Sequence, residues 1–417
     1  VNDSQTDKKP VLIVGAGMAG LACAVTLQRS GIPFLLFDRD ERVGGRVQTD
    51  EVNGYRLDRG FQVLLTAYPE ARSFLDYDKL ELKSCYPGSN VWYNGKFHLL
   101  SDPFRYPLHG LCSVFNPIGT FFEKLRVAML RIGLISTSSF SDDMPTVDAL
   151  KKLGFGHSMI DRFWKPFMCG VFLENDLTTS VRKFEETFRL FAKGKTASPR
   201  LGIGEIPKQL ASELPSDQLM LGHTVTDVHA KGIKTSDGKN WEGSAVVVAT
   251  DFESADRLLN RDSKMRGWNT VDCFYYSFSN MDLPSTRAIL HLNGSGKGPI
   301  NNLSFISILT DCTPADKGLL SASVIGEKEE RIEDLEIKVR QQLIEWFGQR
   351  AQKWENIKVY RIKKAIPVYK DSAKVELKIN GVYLCGDYQG IPSIDSSLRS
   401  GRKIAELIFK SNYQSKE

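Results

Sequence analysis

One short stretch constrains this chain more than any other. Val11-Leu12-Ile13-Val14 is a continuous apolar, β-branched run of the kind that fills a buried parallel strand. Gly15-Ala16-Gly17-Met18-Ala19-Gly20 follows at once, and helix formers run from Leu21 to Arg29 before Gly31 stops them. Ile32 to Phe37 supplies a second strand that ends on Asp38, 18 residues after Gly20. Strand, glycine turn, helix, then a strand closed by a carboxylate is the order a dinucleotide requires. Gly15 permits the tight turn, and Gly17 has no Cβ to block a pyrophosphate. Gly20 lets helix and strand pack closely, so that the free N–H groups of the helix start face the phosphates. Asp38, with Arg39 beside it, stands where a carboxylate accepts hydrogen bonds from the adenosine ribose. A glycine turn alone also serves purely structural ends; the flanking strands and the carboxylate make this one a nucleotide site.

Two further motifs follow, Arg42-Val43-Gly44-Gly45-Arg46 and Leu57-Asp58-Arg59-Gly60-Phe61-Gln62. On these residues the chain resembles the flavin-dependent amine oxidase, protoporphyrinogen oxidase and phytoene desaturase superfamily, whose members carry a ribose carboxylate, then R-x-G-G-R, then D-x-G. The resemblance implies FAD as cofactor. Gly15, Gly17, Ala19, Gly20, Asp38 and Arg39 would then serve its adenylate half, with Gly44, Gly45 and Arg46 near the pyrophosphate and Gly60, Phe61 and Gln62 passing the flavin ring. The family's usual ribose residue is Glu, so Asp38 is one methylene shorter. No cysteine matches the one that attaches flavin in monoamine oxidases, so the FAD is expected to be non-covalent.

The other end of the chain carries a second set. Gly381-Val382-Tyr383-Leu384-Cys385-Gly386-Asp387 is an apolar strand followed by a glycine and a carboxylate, which can meet a ribitol hydroxyl. Pro392-Ser393-Ile394-Asp395 then opens a helix running to Phe409. A helix start aimed at the flavin N1–C2=O edge stabilises negative charge there. By resemblance Ile394 sits at that edge with Ser393 beside it, and Val225 lies by the adenine. The family pattern of acidic, Gly, Ala appears here as Asp395-Ser396-Ser397, which implies slightly looser helix packing, and Gly401 matches a glycine further on.

The fold class expected is α/β with an α+β substrate domain: a Rossmann-like FAD-binding domain of the glutathione reductase-like type, interrupted by an inserted domain of antiparallel sheet plus helices. Residues 1–10 read as a disordered tail. The FAD-binding domain is expected from 11–85, 200–262 and 375–417, and the substrate domain from 86–199 and 263–374. Tyr68 to Lys83 looks like a helix and its exit, and Asn94-Gly95 marks a type I′ hairpin turn. Arg287–Leu292 is among the strands expected to be antiparallel.

The helical part at about 102–194 is the most unusual. Tyr106 to Phe122 contains no charge, while Pro107 and Pro117 forbid one continuous helix. Phe121, Phe122, Leu125, Ala128, Met129 and Ile132 recur at helical spacing, which fits either a core helix or a monotopic membrane patch. Val181, Phe184, Phe188 and Phe191 make another apolar face.

A net charge of +5 suits an anionic membrane surface, but no basic tract with interleaved aromatics points to nucleic acid. The seven cysteines are scattered, with no C-x-x-C pair, and neither they nor the six histidines show metal-ligand spacing. This fits a reducing compartment and gives no metal site. The chain does not begin with Met, so an upstream piece is expected to have been removed, a transit peptide being one candidate. A plastid or a bacterial cytoplasm is the expected setting, peripheral at a membrane.

Amine oxidases of the superfamily carry a Lys facing flavin N5 on a strand matched here by Asn269 to Tyr276, and no lysine occupies it; Thr270 or Asp272 falls at that place. That counts against amine oxidation and leaves no catalytic residue assigned. The resemblance implies an FAD-dependent oxidoreductase of the dehydrogenase or desaturase type, acting on a large apolar substrate such as an isoprenoid, carotenoid or tetrapyrrole. A polyene isomerase using reduced flavin and a non-catalytic FAD-bound subunit of a membrane complex are the alternatives.

Overall fold

The computed structural model describes residues 9–261, 267–369 and 376–413. All but Lys9 and Pro10 of the expected N-terminal tail therefore lies outside the described residues, as do the boundaries expected at 262/263 and 374/375.

A six-stranded sheet holds the two motif-bearing ends together. Its order is Leu219–Met220, Phe34–Phe37, Val11–Val14, Ala245–Val248, Val382–Leu384, Lys378–Ile379. The first five run parallel and the last is antiparallel. Val11–Val14 and Ala245–Val248 are buried at every position because both faces are covered. Val11 and Ile13 point into a core shared with the helices Met18–Arg29 and Ile394–Tyr413, whereas Leu12 and Val14 meet Val228 and Ile233 of a three-stranded sheet on the other side. The alternation of a strand is thus visible even where no residue is polar.

The helices Met18–Arg29 and Ile394–Tyr413 approach so closely that a Cβ on Gly401 would lie 2.0 Å from the Ala19 carbonyl oxygen. The looser packing expected from Ser396-Ser397 is not what the structure has. Ser396 Oγ and Ser397 Oγ both donate to the Ser393 carbonyl, and Ser396 N donates to Ser393 Oγ, so the serines cap the helix start.

The second sheet has seven strands, in the order Glu355–Pro367, Trp268–Ser279, Lys317–Ile325, Asn302–Phe305, Leu290–Asn293, Gly88–Tyr93, Lys96–Ser101. It is antiparallel except where Leu290–Asn293 runs parallel to Gly88–Tyr93, which corrects the all-antiparallel expectation. These two strands come from distant parts of the chain, and no hairpin fixes their sense. Asn94 and Gly95 have φ of 51° and 75°, the signs a type I′ turn needs. Helix Ile332–Phe347 buries Leu335, Val339 and Leu343 against Phe274, Tyr276 and Leu320 of this sheet. The helix expected from Tyr68 covers only Pro69–Phe74; beyond it Asp76 accepts from the backbone N–H groups of Asp78 and Lys79 and turns the chain instead.

Over the sheet lie helices Pro107–Val114, Phe121–Arg131, Lys165–Phe172 and Val181–Lys193. The Phe121 helix is inside out. Thr120 and Glu123 form a capping box, and Glu123 is buried, also accepting from Gly156 N at 2.7 Å. Phe121, Phe122, Leu125 and Ile132 consequently face outward, beside Leu108 at 81% exposure and Phe115 at 84%. Of the two readings the sequence left open for this stripe, the core helix is the one the structure does not support for these residues. Among the described residues, no helix is long and apolar enough to cross a membrane.

Candidate functional site

The N-terminal fingerprint folds into a cradle. Gly15 N donates to the Phe37 carbonyl at 2.7 Å, tying the turn to the end of the second strand, and Gly44 N donates to the Ala16 carbonyl at 2.8 Å. Arg42-Val43-Gly44-Gly45-Arg46 is thereby laid against the first turn, with a bridge between Gly17 and Gly44. A Cβ on Gly20 would meet the Gly15 carbonyl oxygen at 1.8 Å, whereas one on Gly17 would meet nothing among the described residues within 4 Å. Gly20 is closed by protein and Gly17 faces open space, at the N-cap of the Met18 helix.

Asp38 accepts from Ala16 N at 2.6 Å and from Asp40 N at 2.9 Å, and burial raises its pKa against those two donors. Two N–H donors leave lone pairs of the carboxylate for a further partner. His223 N donates to the Asp38 carbonyl, which brings the segment leading to Val225 beside the cradle. Arg39 is largely exposed and reaches Asp40, and Ala19 is buried against the C-terminal helix.

The C-terminal set arrives from across the sequence. Arg46 Nη2 stands 2.7 Å from Asp387 Oδ1 across 341 residues, and its Nη1 donates to the Ala365 carbonyl. Asp387 is buried, and Gly386 N donates to Ser400 Oγ. Gln62 Nε2 donates to the carbonyls of Arg46 and Arg59, so the Gly60–Gln62 segment hangs on the same arginine. Asp395, only 2% exposed, accepts from the backbone N–H groups of Glu70 and Ala71 and from Arg399. It caps the Pro69 helix, a role for which the sequence carries no local signal.

Gly45, Arg46, Gly60, Phe61, Gln62, Ser393 and Ile394 line one end of a cavity of about 1680 Å³. Its far walls come from the helical region, with Leu111, Phe163, Phe167 and Phe191 among them. The strand Trp268–Ser279 contributes only Val271 to this lining. Asp272 is instead held by Arg361 at 2.8 Å. Lysines reach the cavity wall from other elements: Lys183 from helix Val181–Lys193, Lys124 from helix Phe121–Arg131, and Lys358, Lys363 and Lys364 from strand Glu355–Pro367. Among the described residues, no group of three His, Cys, Asp or Glu side chains is placed to hold a metal ion.

The model of the family described as flavin containing amine oxidoreductase matches residues 18–409. The chain belongs to this family. Protoporphyrinogen oxidase 2, chloroplastic/mitochondrial, of Arabidopsis thaliana is 28% identical over 167 residues, 39% of this chain and 32% of that protein. The lycopene-forming phytoene desaturase of Pantoea ananas is 30% identical over 161 residues, 35% of this chain and 32% of that protein. These matches span about a third of the relatives' own lengths. A putrescine oxidase triple mutant, redesigned in its cofactor binding, shares the fold with a TM-score of 0.72, covering 97% of this chain and 99% of that one at 16% identity. The family's members are flavin-dependent oxidoreductases, and FAD is the cofactor here. The cradle fits it: open space over Gly17 at a helix start, an arginine beside it, a half-buried carboxylate, Asp38, at one end and a buried one, Asp387, at the other.

Asp58 of the D-x-G motif gives a test by pH. Burial pushes its carboxyl up to about 6, against hydrogen bonds from Thr49 Oγ1 and Ile203 N to Oδ1. A carboxyl raised above its unfolded value holds its proton more tightly in the native state, so its contribution to stability falls as pH rises from about 4 to 6. Asp58→Asn keeps the Oδ1 acceptor and removes the titration. The variant is expected to gain about 1–3 kcal/mol on the wild type between pH 4 and 7, read from urea unfolding at several pH values. A constant difference across that range would remove Asp58 as the titrating group.

Proposed function

We infer that this chain is an FAD-dependent dehydrogenase or desaturase that takes hydride from a large apolar substrate of the isoprenoid or tetrapyrrole class, with one face on a membrane. One observation carries this: the cavity that starts at Gly60–Gln62 and Ile394 continues between aromatic walls into the region whose outer side bears the exposed apolar patch. At about 1680 Å³ it exceeds the usual range for a single small-molecule site, and it has room for a ring system and an extended substrate together. The relatives named protoporphyrinogen oxidase and phytoene desaturase support the substrate class.

The cofactor assignments follow the cradle. Gly15, Gly17 and Gly20 with Ala19 shape the helix start, and Asp38 with Arg39 and Val225 serves the adenosine. Gly44, Gly45, Arg46, Gly386 and Asp387 serve the middle of the molecule, and Gly60, Phe61, Gln62, Ser393 and Ile394 the ring. FAD held here without a covalent bond supplies the hydride acceptor. Phe163, Phe167 and Phe191 hold an apolar substrate and exclude water, and the helix start at Ile394 favours negative charge at the cavity end. The parallel sheet and its helix layer support a Rossmann-like unit of the glutathione reductase-like type, with the seven-stranded sheet and the helices of 102–194 as the inserted part.

The test is anaerobic mixing of the FAD-loaded protein with polyene and tetrapyrrole candidates. Loss of the oxidised-flavin absorbance with formation of a more unsaturated product is expected for one of them. Product formed only after prior reduction, without net oxidation, would replace this reading by an isomerase.

A further inference from the structure

Lys183 is an anomaly within the cavity. The half-buried cations of its wall are paired: Arg59 with Asp50, Arg105 and Arg131 with Asp102, Arg361 with Asp272, and Lys124 with the carbonyls of Val114 and Asn116. Lys183 is 2% exposed, and its Nζ has no hydrogen-bond partner among the described residues. The ring centroid of Phe172 lies 4.9 Å from that atom. Glu174 is the larger of two influences of opposite charge, Asp387 being the other, but its carboxylate is engaged by Thr178 Oγ1 and Thr179 N. Burial lowers the amine to about 8, a direction these two carboxylates oppose.

Desolvating an ammonium that no hydrogen bond meets is unfavourable, and a Met or Leu at this position would pack against Phe172 without that cost. Its presence makes sense if the missing partner comes with the ligand. A pure hydrocarbon would leave the charge unmet, whereas a ligand with an acidic group would complete it.

We propose that Lys183 anchors an anionic group, a carboxylate or a phosphate, on an otherwise apolar substrate, so that the substrate of this site is an acidic amphiphile and not a plain hydrocarbon. The proposal rests on the reading of the cavity as an apolar-substrate site. It narrows the candidates to those that join a large apolar body to an acid.

Matched probes test it. Hexadecanoate and hexadecanol share the same chain and differ in the head group, and their binding to the FAD-loaded protein is read by calorimetry below their aggregation limits. The wild type is expected to bind the acid about 10- to 100-fold tighter than the alcohol, the worth of one charge-assisted hydrogen bond. In Lys183→Met and Lys183→Gln the preference is expected to fall to within about threefold, with alcohol affinity and FAD content unchanged. Equal binding of acid and alcohol by the wild type overturns the anchor and leaves the apolar cavity standing. Binding of neither overturns both. Loss of FAD from the variants with the acid preference intact assigns the lysine to the cofactor, and the anchor is likewise overturned.

Discussion

Gly17→Asp is expected to give a protein that folds like the wild type and carries no FAD, while Gly20→Ala is expected to weaken the fold of the nucleotide unit itself by several kcal/mol. The two glycines stand three residues apart in one turn, yet the space around them is opposite. A Cβ at Gly17 has nothing among the described residues within 4 Å, and its backbone, at φ −75° and ψ −177°, is extended, so any residue adopts it. Asp is also a favourable N-cap, so the helix Met18–Arg29 should hold at least as well. What the aspartate does is put a side chain and a negative charge where the pyrophosphate must come, and FAD affinity is expected to drop by about 100-fold or more. At Gly20 the added methyl would sit 1.8 Å from the Gly15 carbonyl oxygen, whose residue is tied to Phe37 by a 2.7 Å hydrogen bond. Relief requires moving helix or turn, at a cost of about 3–5 kcal/mol, a large part of the stability of an ordinary domain. Flavin absorbance and thermal unfolding of the flavin-free proteins separate the two outcomes. Full flavin content in Gly17→Asp would mean that the phosphates do not pass this turn.

The second large effect is expected at the outer patch. Replacing Leu108, Phe115 and Phe122 together by serine should abolish flotation with anionic liposomes while leaving stability within about 1 kcal/mol of the wild type. These side chains are 81%, 84% and 68% exposed, so they contribute little to the core. Each is worth roughly 1.5–3 kcal/mol on leaving water for an apolar phase, so losing three should weaken vesicle binding by about 100-fold or more. The surrounding architecture supports a designed outward face: Glu123 is turned inward and fully used as a cap, and Lys124 is spent on the carbonyls of Val114 and Asn116. Vesicle binding unchanged in the triple variant, or absent in the wild type, would remove the membrane from the proposed function.

How much of the site could be read from the sequence depended on the range over which its residues act. The Gly15–Gly20 turn and Asp38 are local: the run of apolar residues, the glycine spacing and the carboxylate at the strand end each report on neighbours within about 25 positions, where strand and helix periods govern geometry. The Asn94-Gly95 turn was legible for the same reason. The strand sense of Leu290–Asn293 was not, because its partner comes from a remote hairpin. Nor was the role of Asp395, which caps a helix through the N–H of Glu70, 325 positions earlier.

The sequence by itself determined the nucleotide turn, the acidic end of its second strand and the family to which the two terminal motifs belong, since each of these is written in short-range pattern. Only the tertiary structure decided which way the apolar stripe of Phe121–Arg131 faces, that Arg46 meets Asp387, and that a lysine enters the cavity from helix Val181–Lys193 and not from the strand Trp268–Ser279. Helical spacing states that one face is apolar but not whether protein or another phase covers it. Which way that face points is settled by where the buried charge of Glu123 finds its hydrogen bonds and by which helices the sheet brings together.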